Sequence, residues 1–213
     1  MKTRKIRTAL YNVLPGEKAH ALMAPRPKYI EGIEGVHPCP PVNSAILALI
    51  VPFENELALP LIKRVNRGKY HGGQIAFPGG KMEKEDADAL QTALRECHEE
   101  IGVPEEKVSI LGVLSDIYIP LSNFNITPIV GTTLQLPDFI LSQDEVEKVI
   151  LVKLRDLFDD RNKTTHSFVR HDHKIIAPGY KIGENFIWGA TAMIIAELEQ
   201  LMKTNTFNHL AQL

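Results

Sequence analysis

Residues 79–103, GGKMEKEDADALQTALRECHEEIGV, hold the densest set of side chains able to do chemistry in this chain. Glu96, Glu99 and Glu100 stand at i, i+3 and i+4, the spacing that gathers side chains on one side of a helix. Two carboxylates about 5 Å apart repel by on the order of 3 kcal/mol at an effective dielectric of about 20. A divalent cation reverses the sign of that interaction, and hard cations such as Mg²⁺ prefer oxygen ligands. The triad therefore points to a metal site, with a merely solvated acidic face as the alternative.

The elements around the triad favour the first reading. Leu90, Leu94, Cys97 and Ile101 fall within a sector of roughly 60° and form the buried stripe of an amphipathic helix, with the three glutamates opposite. The glycine pair of Phe77-Pro78-Gly79-Gly80 precedes this helix, and Gly102 stops it. Turn, acid-faced helix and second turn make one unit, in which backbone carbonyls near Gly80 could face the carboxylates.

This unit resembles the Nudix hydrolase signature, G-x(5)-E-x(7)-R-E-U-x-E-E-x-G-U with U a bulky apolar residue. Here Gly80 is followed by five residues, Asp86, eight residues, and then Arg95-Glu96-Cys97-His98-Glu99-Glu100-Ile101-Gly102-Val103. Asp86 replaces a glutamate, one residue is inserted before the arginine, and Cys97 takes an apolar position. The departures resemble the coenzyme A pyrophosphatase branch of that family. So do Leu61-Ile62-Lys63-Arg64, the run His71-Gly72-Gly73-Gln74-Ile75-Ala76-Phe77-Pro78-Gly79-Gly80, and Thr92-Ala93-Leu94-Arg95-Glu96. Looser matches at Leu14-Pro15-Gly16, Thr127-Pro128-Ile129-Val130-Gly131 and Ile187-Trp188-Gly189-Ala190-Thr191-Ala192 extend the resemblance over nearly the whole chain. At Val65, Asn66 and Gly68 the chain departs from the branch.

The resemblance implies a Mg²⁺- or Mn²⁺-dependent pyrophosphatase that cleaves coenzyme A, or an acyl derivative, to phosphopantetheine and adenosine 3′,5′-bisphosphate. It implies Glu96 and Glu100 as metal ligands, Glu99 as a third ligand or water-orienting base, and the Gly80 carbonyl as the ligand that is not a carboxylate. Arg95 is expected to brace Asp86 or Glu99 rather than touch substrate. Coenzyme A carries a 3′-phosphate besides its pyrophosphate, so cations beyond the metal are needed. Lys63, Arg64, Arg67 and Lys69 precede the glycine turn, and His71 and Gln74 adjoin it. Asp144-Glu145-Val146-Glu147 is a second acidic cluster, read as surface or as the source of a base. Rival readings are the same chemistry on ADP-ribose or a dinucleotide, a non-catalytic ligand-binding module on the same fold, and an interaction protein with a solvated acidic helix.

Other features carry less. His171-Asp172-His173 lacks a third ligand at a diagnostic spacing. Trp188 and Tyr180 read as core rather than as a base-stacking pair. Cys97 faces the predicted core and has no base at a legible spacing, which argues against a nucleophile.

Bulk composition agrees with a small enzyme. The 213 residues suit one domain with a sizeable core, residues 41–213, and an N-terminal extension, residues 1–40, packed on it. A hydrophobic content of 44%, 23% charged residues and a net charge of −2 give no reason to expect nucleic acid or an anionic membrane as partner. Cys39 and Cys97 are too few for a disulfide framework, and a cytoplasmic location is the default. The start lacks the apolar stretch of a signal peptide, and the longest apolar run, residues 45–53, is about half a membrane span. The glycosylation-like triplets at Asn125 and Asn162 are accordingly discounted. A homodimer is left open.

Along the chain, one short helix is expected after Pro15, then a proline-rich connector at 38–41. Residues 45–51 and 56–64 read as strands joined across 52–55, and 74–77 as a short strand entering the glycine turn. Residues 108–119 and 125–130 are β-rich, 145–154 and 167–176 read as one strand each, and 188–202 as a helix with Ala192, Ile195, Ala196 and Leu198 inward. Strands around a central helix imply an α/β sandwich, and the resemblance implies a Nudix-like α/β/α arrangement with a mixed sheet.

Overall fold

A computed structural model describes residues 2–11, 13–26, 39–66, 73–170 and 173–210. In chain order the elements are α1 (Lys2–Leu10), α2 (Glu17–Met23), β1 (Val42–Phe53), β2 (Glu56–Arg64), β3 (Ile75–Ala76), β4 (Gly79–Lys81), α3 (Ala89–Ile101), β5 (Ser109–Val113), β6 (Ile117–Ile119) and β7 (Phe124–Thr132). They are followed by β8 (Val146–Lys153), α4 (Leu154–Leu157), β9 (Lys163–Arg170), β10 (His173–Ile182), β11 (Asn185–Trp188) and α5 (Ala190–Leu210).

The main sheet runs β3-β2-β1-β7-β5, with β4 on β1, β6 on β7 and β8 on β2. It is mixed: β1 and β7 pair in parallel from Val42↔Phe124 to Ile50↔Thr132, while β1 pairs antiparallel with β2 and β4. Both faces are covered, which explains why β1 reads as a continuous apolar run rather than an alternation. Ala45, Leu47, Leu49 and Val51 pack with Ala93, Cys97 and Ile101 of α3. Ala48 and Ile50 enter the opposite core with Ile194, Ile195 and Leu198 of α5, and with Ile6, Ala9 and Leu10 of α1. The result is the expected α/β/α arrangement.

Local signals explain the element ends. Asp88 caps α3, its side chain accepting from the Gln91 N–H, and Gly102 closes it at φ 72° with its N–H on the His98 carbonyl. Glu54 and Asn55 both take positive φ, so β1 and β2 run on through Pro52 and Phe53 to a two-residue turn.

Several expectations need correction. Two helices precede the connector: α1 buries Ile6, Ala9 and Leu10, the apolar residues of an otherwise polar segment. The β-rich stretch 108–119 is two strands, β5 and β6. The single strand expected at 167–176 is a hairpin, β9 and β10, which forms a separate three-stranded sheet with β11. The last helix continues to Leu210.

Helix α5 lies between layers, so two of its carboxylates are buried and must be satisfied internally. Glu197 accepts from the Gly16 N–H (3.0 Å) and the Ser115 hydroxyl (2.6 Å) and pairs with His20 (2.9 Å). Glu199 pairs with Lys163 (2.8 Å) and Lys203 (2.6 Å). No helix among the described residues is long and apolar enough to cross a membrane.

Candidate active site

The glycine turn passes through a gap that admits no side chain. Gly79 and Gly80 pair with Ile46 and Ala45 of β1. A Cβ on Gly79 would sit 2.4 Å from the Ala45 carbonyl oxygen, and one on Gly80 would sit 2.3 Å from the Glu96 carboxylate. The main chain thus passes directly between β1 and the acidic helix, and the Gly79 N–H donates to Glu100 Oε2 at 2.9 Å.

Arg95 ties the turn to the helix, as the sequence reading expects. Its Nε and Nη2 bind both Asp86 oxygens (3.0 and 2.9 Å), and Nη2 also donates to the Lys81 carbonyl (3.1 Å). Its Nη1 reaches Glu96 (3.1 Å) and Glu99 (2.9 Å). Asp86, only 7% exposed, accepts further from the Glu83 N–H and the Thr92 hydroxyl, both at 2.9 Å. Hydrogen bonding to Arg95 outweighs burial and holds the Asp86 carboxyl well below the usual carboxylate range.

The three glutamates do not share one solvated face. Glu99 is exposed and Glu96 mostly covered, but Glu100 is 1% exposed. On the helical wheel Glu100 lies between Ala93 and Glu96, so the buried stripe is Ala93, Cys97 and Ile101, with Leu90 on the same face and Leu94 at its margin, both half-buried. Burial pushes the Glu100 carboxyl up to about 7 against the Gly79 N–H and the Arg64 charge, with Glu96 and Glu145 adding to the rise. Burial likewise raises Glu96, opposed by Arg95.

Of the candidate substrate-binding cations among the described residues, Arg64 reaches the triad, its Nη1 lying 3.2 Å from Glu100 Oε1. Lys63, its neighbour on β2, instead pairs with Glu147 at 2.8 Å. The Gln74 carbonyl accepts the Arg64 N–H. His71, Arg67 and Lys69 lie outside the described residues, as do His171 and Asp172. Glu145 is exposed, yet its charge acts on both Glu96 and Glu100. Cys97 is fully buried, and burial pushes its thiol up to about 12, so it has no nucleophilic character. Tyr180 is core, and Trp188 packs edge-on against Phe168 with ring centroids 4.8 Å apart.

The sequence reading did not foresee the Arg64–Glu100 pair, the Gly79 N–H donor or the Thr92 bond to Asp86. Arg64, Gly79 and Thr92 each stood in a run that the resemblance singled out, but their partners were not legible. Among the described residues, no three His, Cys, Asp or Glu side chains already converge as a complete ligand set. Arginines and main-chain N–H groups hold the carboxylates instead.

A mixed sheet between helices, a glycine turn and an arginine-braced acidic helix define an α/β-sandwich hydrolase. The NUDIX domain profile matches residues 43–171, and the chain belongs to the Nudix family of pyrophosphohydrolases. Among curated proteins it is 34% identical over 161 residues to the uncharacterized Nudix hydrolase NudL of Enterobacter sp. (strain 638), covering 74% of this chain and 82% of that one. The NudL of Pectobacterium atrosepticum is 35% identical over 158 residues, covering 73% and 80%. Among solved structures, a NUDIX hydrolase from Nitrosomonas europaea superposes with TM-score 0.51 at 20% identity, covering 80% of this chain and 75% of that one. RenU, a Nudix hydrolase from M. smegmatis, gives 0.50 at 15%, covering 79% and 88%. Nudix hydrolases bind small nucleotide substrates and generally use divalent metal ions such as Mg²⁺ or Mn²⁺.

Proposed function

We propose that this Nudix hydrolase cleaves the pyrophosphate bond of coenzyme A or acyl-coenzyme A, yielding phosphopantetheine and adenosine 3′,5′-bisphosphate. One observation carries the branch assignment. Arg64, the arginine of the Leu61-Ile62-Lys63-Arg64 run that resembles the coenzyme A pyrophosphatases, lies in contact with the acidic helix at Glu100. A cation there suits a substrate with more phosphate than a single metal ion neutralises.

The donor set fits a hard divalent cation. Glu96 and Glu100 interact electrostatically beside the Gly80 main chain, and the space a Gly80 Cβ would fill is kept for the Glu96 carboxylate. Glu96, Glu100, Glu99 and the Gly80 carbonyl are the groups proposed to hold Mg²⁺ or Mn²⁺. Bound there, the ion would neutralise phosphate charge and lower the pKa of a water. This chain's residues then do the positioning. Arg95 fixes the helix against the turn through Asp86, and Arg64 with Lys63 and Gln74 receives the nucleotide. Glu99, the exposed member, is proposed to orient the attacking water from its place beside Arg95. Residues 1–40 are proposed as an extension packed on the catalytic domain of residues 41–213.

The test is product analysis after incubation with coenzyme A, ADP-ribose and NADH, separately, with and without Mg²⁺. Metal-dependent release of adenosine 3′,5′-bisphosphate, much faster than AMP from the other two, is expected. Faster cleavage of ADP-ribose or NADH would keep the Nudix chemistry and discard the coenzyme A branch.

A further inference from the structure

Arg64 reaches the acidic helix from another layer of the molecule, on a main chain fixed at both edges. It closes β2, where pairing with β8 slips: Lys63 lies opposite Lys148, but Arg64 lies opposite Val146. Glu147 is passed over and pairs with the Lys63 side chain, while Val146 turns into the core beside α3. Bulges of this kind re-aim side chains next to functional sites. On the opposite edge the Arg64 N–H donates to the Gln74 carbonyl and its own carbonyl accepts from the Gly73 N–H, both at 3.0 Å. Only the side chain is left to move, and a third of it is exposed.

Glu100 has two carboxylate oxygens, and this chain engages both. Oε2 takes the Gly79 N–H at 2.9 Å, and Oε1 takes Arg64 at 3.2 Å. The two partners differ in freedom. Gly79 is wedged against the Ala45 carbonyl and the Ile46 main chain and cannot withdraw. The guanidinium is the far end of a flexible side chain. A cation taking Glu100 as a ligand therefore meets Arg64 at Oε1, where two positive charges at contact distance repel.

We infer that Arg64 couples metal binding to nucleotide binding: it pairs with Glu100 until a divalent cation takes Oε1, and its guanidinium then turns to a phosphate oxygen of the substrate. This rests on the metal-dependent pyrophosphatase reading. Its consequence is a pair of opposite effects in one variant. Without Arg64, the metal binds more tightly because a competitor is gone, while the nucleotide binds more weakly because a phosphate partner is gone.

The experiment measures Mn²⁺ binding to the full chain from the paramagnetic resonance signal of the free ion, alongside KM for the nucleotide. Arg64→Met should bind Mn²⁺ roughly tenfold more tightly than the wild type, with KM raised by a similar factor. Arg155→Met, which loses the same charge at a site paired with Glu56, should stay within about twofold, since distant surface charges are screened. Should Arg64→Met fail to fold, Arg64→Lys keeps the charge on a shorter reach and should tighten Mn²⁺ binding by about threefold. Unchanged or weaker Mn²⁺ binding in the folded variant, with normal binding by the wild type, would overturn the coupling alone. No Mn²⁺ binding by the wild type would overturn the metal-dependent reading and the coupling with it.

Discussion

The two glycines of the turn should fail in opposite ways when each is changed to alanine. At Gly79 the new Cβ would lie 2.4 Å from the Ala45 carbonyl oxygen and 2.6 Å from the Ile46 Cα, and φ is 155°. Both neighbours are main chain inside the sheet, so neither can yield. Overpacking and the unfavourable backbone together should cost about 3–5 kcal/mol, which lowers Tm by about 10 °C or more. At Gly80 the three atoms nearest the new Cβ would all belong to the Glu96 carboxylate, the end of a flexible side chain, at 2.3–2.7 Å. That carboxylate must retreat by about 1 Å to reach ordinary contact. The retreat weakens the Arg95–Glu96 bond, worth about 1 kcal/mol, and the loss of a glycine from the unfolded chain offsets much of it. Gly80→Ala should therefore melt within about 3 °C of the wild type while kcat falls about a hundredfold, the usual cost of misplacing a reacting group by 1 Å. Thermal unfolding without metal and kcat at saturating Mg²⁺ measure the two quantities. Near wild-type kcat in Gly80→Ala would refute a catalytic role for the Glu96 position. A melting loss equal to that of Gly79→Ala would refute the claim that its obstacle is soft.

Two further outcomes probe the frame around the site. Asp86→Asn should lower stability near neutral pH by about 2–4 kcal/mol, because Arg95 loses a bidentate partner but keeps Glu96, Glu99 and the Lys81 carbonyl. The folded-state pKa of Asp86 is depressed, so its stabilisation is present above its unfolded value of 3.8 and lost as pH falls through and below that value. Melting curves between pH 3 and 6 should show a steeper acid loss in the wild type than in Asp86→Asn, and parallel slopes would contradict this. Glu197→Ala should cost about 2–4 kcal/mol by stranding the Gly16 and Ser115 donors and His20, yet leave kcat within about twofold, since that network ties α2 to α5 away from the acidic helix. A hundredfold drop in kcat in a folded Glu197→Ala would show that the two regions communicate.

Legibility followed the range of the interactions. Helix α3 was readable because its signals are local, an apolar stripe at helical spacing and the stop at Gly102 one turn from its partner His98, although its cap at Asp88 was not read. The paired strands β1 and β2 were readable from their apolar runs, although the turn was placed two residues too wide because Pro52 looked like a break. The hairpin of β9 and β10 was missed because its strands carry charges and Pro178, and because its cohesion comes from cross-strand pairs such as Phe168 opposite Ile175. Helix α1 was missed because a three-residue stripe in nine residues is too short a pattern to rise above its polar neighbours. Glu100 was placed on the wrong side of its helix for a related reason. Nothing within reach of its own helix announces that a carboxylate will be buried, since Gly79 precedes it by 21 residues and Arg64 by 36.

That misplacement changes the argument for a metal. From the sequence, three glutamates at helical spacing repel, and a cation is the evident remedy. In the folded chain two guanidiniums already supply much of it: Arg95 lies against Glu96 and Glu99, and Arg64 against Glu100. The self-repelling triad alone therefore does not require a metal. The case rests on how the two arginines differ. Arg95 is held by both Asp86 oxygens and the Lys81 carbonyl, so it stays in place even where a cation takes Glu96 from it. Arg64 meets Glu100 through a single bond from Nη1, and a third of its side chain is exposed. A site meant only to be stable would be better served by a second bidentate brace at Glu100 than by one exchangeable bond. The asymmetry is what a reaction needs: one arginine that holds the frame, and one that can change partners when substrate and metal arrive.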